Sequence, residues 1–475
     1  MKRLFLMSKP IQNGYMTYTF KQFFKNQTHN WKEVLTLAWP LIIANGFWII
    51  QTTVDRVFLA QYSTDSLAAA TAVSGVFWAP MALVQHTAAY SMTFTAQYFG
   101  ARQFEKIGSS IWQAFYISLV GGTLFLLLIP AAPFIFGLMG HSEELLALET
   151  SYFMALCLSA APFSILGSIG GFFAGIGKSK YIIPLNVISV IANALFNYLF
   201  IFGNWGAPEY GIAGAGYATA LSTLASCILG FGLLFTRKNE ALYQIISTWK
   251  PHWDLLKRYV RFGIPSALQY ALEGFAFSIF LILIGRLHNG NVALASSGVT
   301  LTIFMLAVMP VVGIAQAASV LVGQYIGRDL PERAASLTHS SYQIGLLYTV
   351  IIGASFVLLP DFYLNWFSSS DASETWNEVV RITPLLLIFT AAFIPFDCMN
   401  IVYAFALKGA GDTKFVGLAA LILPWPTMVI PTYFILNHSH AVYWAWGFAS
   451  FFIIVQGLCF LLRFQGGKWK KMKVI

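Results

Sequence analysis

Between Val34 and Arg463 the chain repeats one pattern, about 20 or more predominantly apolar residues followed by a short polar segment. A helix rising about 1.5 Å per residue needs roughly that length to cross a hydrocarbon core of about 30 Å. Twelve membrane helices are predicted, over 34–59, 66–98, 108–136, 146–174, 181–203, 213–236, 259–285, 292–325, 337–366, 378–407, 415–437 and 441–463. Several exceed the minimum, which allows tilt or extension beyond the bilayer. Runs such as LVGGTLFLLLIP and LLLIFTAAFIPF are continuously apolar. A membrane β-barrel would instead show strands of about ten residues with strict alternation. The class expected is an all-α integral membrane protein. Residues 1–33 are polar and basic, with no apolar core leading to a small-residue cleavage site, so they are expected to stay as a cytoplasmic tail.

Composition agrees, with 57% apolar residues, 10% charged and a mean hydropathy of +0.68. Soluble domains carry about 25% charged residues. Net charge is +9, and its distribution decides its meaning. Of 28 Lys and Arg residues, 25 fall in the two tails, the central linker and the loops on one side, leaving Arg56, Arg286 and Arg381 toward the other. The bias predicts both termini in the cytoplasm, and one span too many or too few would scramble it. Basicity here is topological, so no nucleic-acid partner is expected. Cys157, Cys227, Cys398 and Cys459 all lie inside spans at no metal-ligand spacing, as small core residues do.

Internal similarity divides the chain. AQYFGARQFEK at 96–106 matches GQYIGRDLPER at 323–333, both placing Gln-Tyr-x-Gly before a basic loop. Ala-Pro-Phe at 161–163 and AGIGKSKY at 174–181 match Ile-Pro-Phe at 394–396 and KGAGDTKF at 408–415. The offsets, 227, 233 and 234 residues, are nearly constant and preserve sidedness, as in a parallel repeat about an axis along the membrane normal. Two six-helix lobes are expected, 34–236 and 259–463, joined by a cytoplasmic linker at 237–258 and followed by a tail at 464–475. Gly-x-Gly before a loop also reads as an ordinary helix stop.

An ionisable group inside a span marks function, because Asp at mid-helix costs roughly 2.5 to 3.5 kcal/mol on insertion scales. Three stand out: Asp55 in the first span, Glu273 in the seventh and Asp397 in the tenth. Asp55 has Arg56 beside it, whereas no basic residue lies near Glu273 or Asp397 within either span. Carboxylates without local counter-charges suit Na⁺, which prefers oxygen ligands. They also suit H⁺, since burial disfavours the ionised form. Asn193 and Asn197 lie four apart on one face of the fifth span, where they can reach Asp55 or serve as interhelical glue. Gln51 and His86 are further polar residues in apolar spans, and Pro40, Pro265 and Pro395 are potential kinks that free backbone groups.

These residues resemble the multidrug and toxin extrusion (MATE) family, most closely its NorM-like branch. The resemblance rests on WPLIIANGFWIIQTTVDRVFLAQ in the first span, GAPEYGIAGAGYATA at 206–220, RFGIPSALQYALEG in the seventh, and Asp397 fifteen residues before Asp412 of KGAGDTK. It implies two lobes around a central cavity and a Na⁺- or H⁺-coupled antiporter exporting organic, often cationic, drugs from the bacterial inner membrane, with no cofactor. It assigns Asp55, with Asn193 and Asn197 as its polar neighbours, to the acidic site of the first lobe, and Glu273 and Asp397 to the cation pair of the second, so that Asp55, Glu273 and Asp397 are the expected cation-coupling residues; Gln51 is a further candidate for the substrate or polar network. Related chains often have tyrosine one turn before the tenth-helix aspartate, where this one has Phe393, which removes an oxygen and brings H⁺ closer to Na⁺ as the expected ion. The aromatic residues, 16% of the chain, suit stacking on flat cations. A monomer in contact with lipid is expected. The alternative is a lipid-linked oligosaccharide flippase of the same superfamily, for which Arg56 and Arg286 are the candidate headgroup cations. No HExxH or clustered His and Asp suggests an enzyme.

Overall fold

The computed structural model describes residues 13–287, 289–367, 374–438 and 440–475, with side chains from Thr28 onward except at 374–375. Lys2, Arg3 and Lys9, and the side chains of Lys21 and Lys25, lie outside the described residues. The described chain is helical without strands. Its helices are α1 (Asn13–Tyr62), α2 (Thr64–Ala89), α3 (Ser91–Gly100), α4 (Ile107–Leu128), α5 (Ala132–Gly137), α6 (Glu143–Cys157), α7 (Ala160–Gly175), α8 (Ile182–Phe202), α9 (Ile212–Leu234) and α10 (Arg237–Tyr243). The second half has α11 (Trp253–Gly285), α12 (Gly290–Gly327), α13 (Pro331–Leu358), α14 (Pro360–Leu364), α15 (Glu374–Ala410), α16 (Thr413–Ile422), α17 (Ile430–Phe434) and α18 (Ala441–Gln465).

Among the described residues eleven helices are individually long and apolar enough to span a membrane, and α6 with α7, bent by 42° at their junction, makes twelve crossings when the pair is taken as one span, the fourth. Pro162 sits in the first turn of α7. Lacking an N–H and crowding the carbonyl of Leu158, it ends the α6 ladder there. Pro40, Pro265 and Pro395, by contrast, lie within continuous helices. The eleventh crossing joins α16 to α17 through a π-helical turn at Trp425–Val429, entered from Pro424.

Boundaries shifted where helices outrun their apolar stretch. The seventh begins at Trp253, inside the segment expected as linker, and the tenth continues through Lys408 to Ala410. The carboxy-terminal segment is folded against the bundle. Trp469 is fully buried and stacks on Phe464, and the Val474 N–H donates to Gln97 Oε1 at 2.9 Å.

The two lobes are fastened at the end of the bundle carrying the termini. Gln97 Nε2 of α3 donates to the Gly409 carbonyl at 3.0 Å, and Gln324 Nε2 of α12 donates to the Gly175 carbonyl at 2.8 Å. The repeat pairs read from sequence thus grip each other reciprocally across the seam. Gly100 and Gly327 make this possible, since a β-carbon on either would run into the main-chain carbonyl of Gln324 or Gln97. Gly177 and Gly411 have φ of +77° and +104°, where glycine is favoured, so Gly-x-Gly is both a helix stop and the receptor of the Gln clasp. Nearby, Glu33 of α1 accepts from Arg333 Nη2 at 2.9 Å and Tyr325 Oη at 2.7 Å. These inter-lobe bonds fall in the terminal half of the bundle, as do Tyr259 Oη to the Ala88 carbonyl and Tyr90 Oη to the Lys408 carbonyl.

Candidate functional site

In the first lobe, α1 and α8 bring Asp55 to the asparagine pair. Asn197 Nδ2 donates to Asp55 Oδ1 at 2.6 Å and also to Asn193 Oδ1 at 3.2 Å. Both asparagines are fully buried, whereas Asp55 is half-buried. The four-residue spacing stacks the amides on one face. Asp55 therefore answers to asparagine and not to Arg56, which is exposed. Thr219 of α9 stands beside the same carboxylate, and Asn197 Oδ1 is buried without a hydrogen-bond partner. Gln51, one turn before Asp55, accepts from Ser189 at 3.0 Å.

In the second lobe, Glu273 Oε1 accepts from Gln456 Nε2 of α18 at 2.6 Å and from Gln269 Nε2 at 3.2 Å. Asp397 on α15 accepts from Asn400 Nδ2 at 3.3 Å, and the two acids are close enough for their charges to act on one another. Asp397 is buried at 6% exposure and Glu273 is half-buried. Neither acid has a basic group at ion-pair distance among the described residues. Gln269 Oε1 and Asn400 Oδ1 are buried with no hydrogen-bond partner. The second lobe thus places two carboxylates and two unpartnered amide oxygens on α11 and α15, all of them oxygen donors. Among the described residues no three His, Cys, Asp or Glu side chains gather as a transition-metal centre. The Phe393 ring packs on Phe304 and adds no oxygen.

Three participants were not read from sequence. Gln456 is the lone amide in IIVQGLCF and Gln269 lies one turn before Glu273, but a search for ionisable residues passes over amides. Lys408, read as a loop residue, is buried at 4% exposure. Its Nζ donates to Tyr270 Oη at 3.2 Å and lies 4.5 Å from the Tyr270 ring centre and 4.1 Å from that of Phe405. His86 stacks on the Tyr270 ring at 3.9 Å.

The MatE family model matches residues 40–199 and 265–461, most of the chain, and breaks at the centre. The chain belongs to the MatE family. As a MatE chain it is a membrane transporter and not an enzyme, and its two matched blocks fall one in each group of six crossings. Relatives include a probable multidrug resistance protein NorM of Thermotoga maritima, 24% identical over 94% of both chains. Another is a protein of the same description from Shewanella oneidensis, 27% identical over 83% of this chain and 84% of that one. Among solved structures, an outward-facing multidrug resistance MATE family transporter of the MOP superfamily superposes with a TM-score of 0.83, at 20% identity over 94% of this chain and 97% of that one. A MOP superfamily transporter from Pyrococcus furiosus, described as having a binding pocket of reverse polarity, gives 0.84 at 20% identity over 93% and 97%. These likenesses establish the MatE fold.

Proposed function

We propose that this transporter is an antiporter that exports organic, often cationic, drugs and toxic compounds across the bacterial inner membrane in exchange for Na⁺ or H⁺. The observation that carries the reading is the pair Glu273 and Asp397, buried or half-buried, without an ion-paired base, and ringed by amide groups with spare oxygens. A site so arranged gains by accepting a small cation. The relatives named as probable multidrug resistance proteins point to drugs as cargo. Coupling follows if ion and drug favour opposite states of two lobes, 34–236 and 259–463, that rock about their seam. The positive-inside bias assigns the fastened, terminal end to the cytoplasm, so the molecule in this state would load the ion from outside. It works as a monomer in lipid. The flippase alternative gains nothing here, since Arg56 and Arg286 are exposed and outside the buried polar sets.

The test is efflux of a fluorescent organic cation from proteoliposomes under a Na⁺ gradient and a proton gradient imposed separately. Uphill movement with one of them names the ion, and Glu273→Gln should abolish it in protein that remains folded. Full driven transport by both Glu273→Gln and Asp397→Asn would overturn the reading.

A further inference from the structure

Lys408 is a buried cation with no carboxylate at ion-pair distance among the described residues. The nearest acid in sequence, Asp412, is taken by Arg463, whose Nε donates to Oδ2 at 2.6 Å and whose Nη2 donates to Oδ1 at 3.1 Å. An ammonium has three hydrogens to place and no acceptor. One goes to Tyr270 Oη, and the charge rests between the faces of Tyr270 and Phe405. Such rings offset part of the desolvation but carry no net charge to neutralise the lysine.

Glu273 presents the matching case, an anion held by two amides and no base. It lies three residues after Tyr270, on the same face of α11, so the tyrosine that accepts from Lys408 Nζ stands one turn from the acid. The other polar groups around the ammonium are His86, stacked behind Tyr270, and Tyr90, whose hydroxyl binds the Lys408 carbonyl. Asp397 is three turns back on the same helix as Lys408. The site therefore holds one buried lysine and two acids, none of them ion-paired among the described residues.

We propose that Lys408 is a tethered counter-cation of the second-lobe site, which acts through Glu273 to set how much coupling ion is needed to fill it. With the site empty, the ammonium offsets the field of the acids from its seat on Tyr270. An arriving Na⁺ or H⁺ binds against that positive field and needs a higher concentration than the acids alone would demand. Lys408 is thus a positioning residue for charge, held by an aromatic seat that spans the lobe seam through His86. This inference rests on the coupling reading above.

The experiment compares Lys408→Met, Lys408→Arg and Glu273→Gln with the parent protein in proteoliposomes, measuring driven efflux of the same fluorescent cation against Na⁺ concentration and against pH. Lys408→Met should lower the half-saturating ion concentration by about fivefold to tenfold, or move the half-maximal pH upward by a corresponding step, because like-charge repulsion is removed. Lys408→Arg keeps the charge and should stay within about twofold of the parent, which a packing role would not predict. An unchanged ion requirement in Lys408→Met, with Glu273→Gln inactive, overturns this inference alone. Full driven efflux in both Glu273→Gln and Asp397→Asn, measured alongside, removes the coupling reading beneath it. Should Lys408→Met fail to fold, Lys408→Gln and the arginine variant carry the same comparison.

Discussion

Glu273 shows how a half-buried acid is held without an ion-paired base. Two glutamine amides donate to one of its oxygens, at 2.6 and 3.2 Å, which leaves the carboxylate bound but uncompensated. Hydrogen bonds to charged groups contribute about 1.5 to 3 kcal/mol each. Gln456→Leu removes the shorter one and should lower the unfolding temperature in detergent by a few degrees, more than the same change at Gln465, which is exposed at the end of α18. In the first lobe, Asn197→Leu strands Asp55 and leaves Asn193 Oδ1 without its donor. A loss of about 1 to 3 kcal/mol is expected, checked by thermal unfolding, and Asn197→Ser should recover only part of it. Asp55, Glu273 and Asp397 were legible in the sequence because each is an acid inside an apolar run. Their amide partners were not, since a glutamine in a span is cheap enough to be ordinary.

At the level of elements, the linker behaves as a small folded unit. Thr236 caps α10 by accepting from the Asn239 N–H, and Gln244 ends the helix with φ of +51°. Glu240 then gathers the following turn, accepting from the Ser247 hydroxyl at 2.6 Å and from the N–H groups of Ile246 and Ser247 at 2.5 and 3.2 Å. The Ser247 hydroxyl and then the Ile246 amide hold the Glu240 carboxyl below its ordinary value. A group depressed by folding stabilises the fold above its unfolded pKa, and that contribution is lost as pH falls through the folded one. Hydrogen exchange at residues 246–247, corrected for intrinsic rate, should therefore be protected at neutral pH and lose protection as pH falls through and below the ordinary glutamate range, and Glu240→Gln should remove the difference. The apolar pattern located the crossings but misjudged their ends at Trp253 and Lys408, because a helix stops where its cap or glycine lies and not where hydropathy does.

Across the whole molecule, the lobes are joined by the reciprocal Gln97–Gly409 and Gln324–Gly175 clasp, closed over Gly100 and Gly327. Gly100→Ala should force this end apart, raising labelling by an impermeant maleimide, added from that side, of a cysteine introduced at Ser340, which is buried and accepts from Asn30 Nδ2 of α1 at 3.2 Å across the seam. Unchanged labelling would show that the seam tolerates the methyl group. The sequence by itself determined the class, the twelve crossings, the twofold repeat and the buried acids, because span length and the cost of charge in lipid are properties of short stretches of chain. It also carried both halves of the clasp as repeated motifs, without revealing that each half grips the other lobe. Only the tertiary structure decided which polar groups meet. Gln456 lies 183 residues from Glu273, Gln97 lies 312 from Gly409 and Lys408 lies 138 from Tyr270, and such meetings depend on how helices pack, which no local period records.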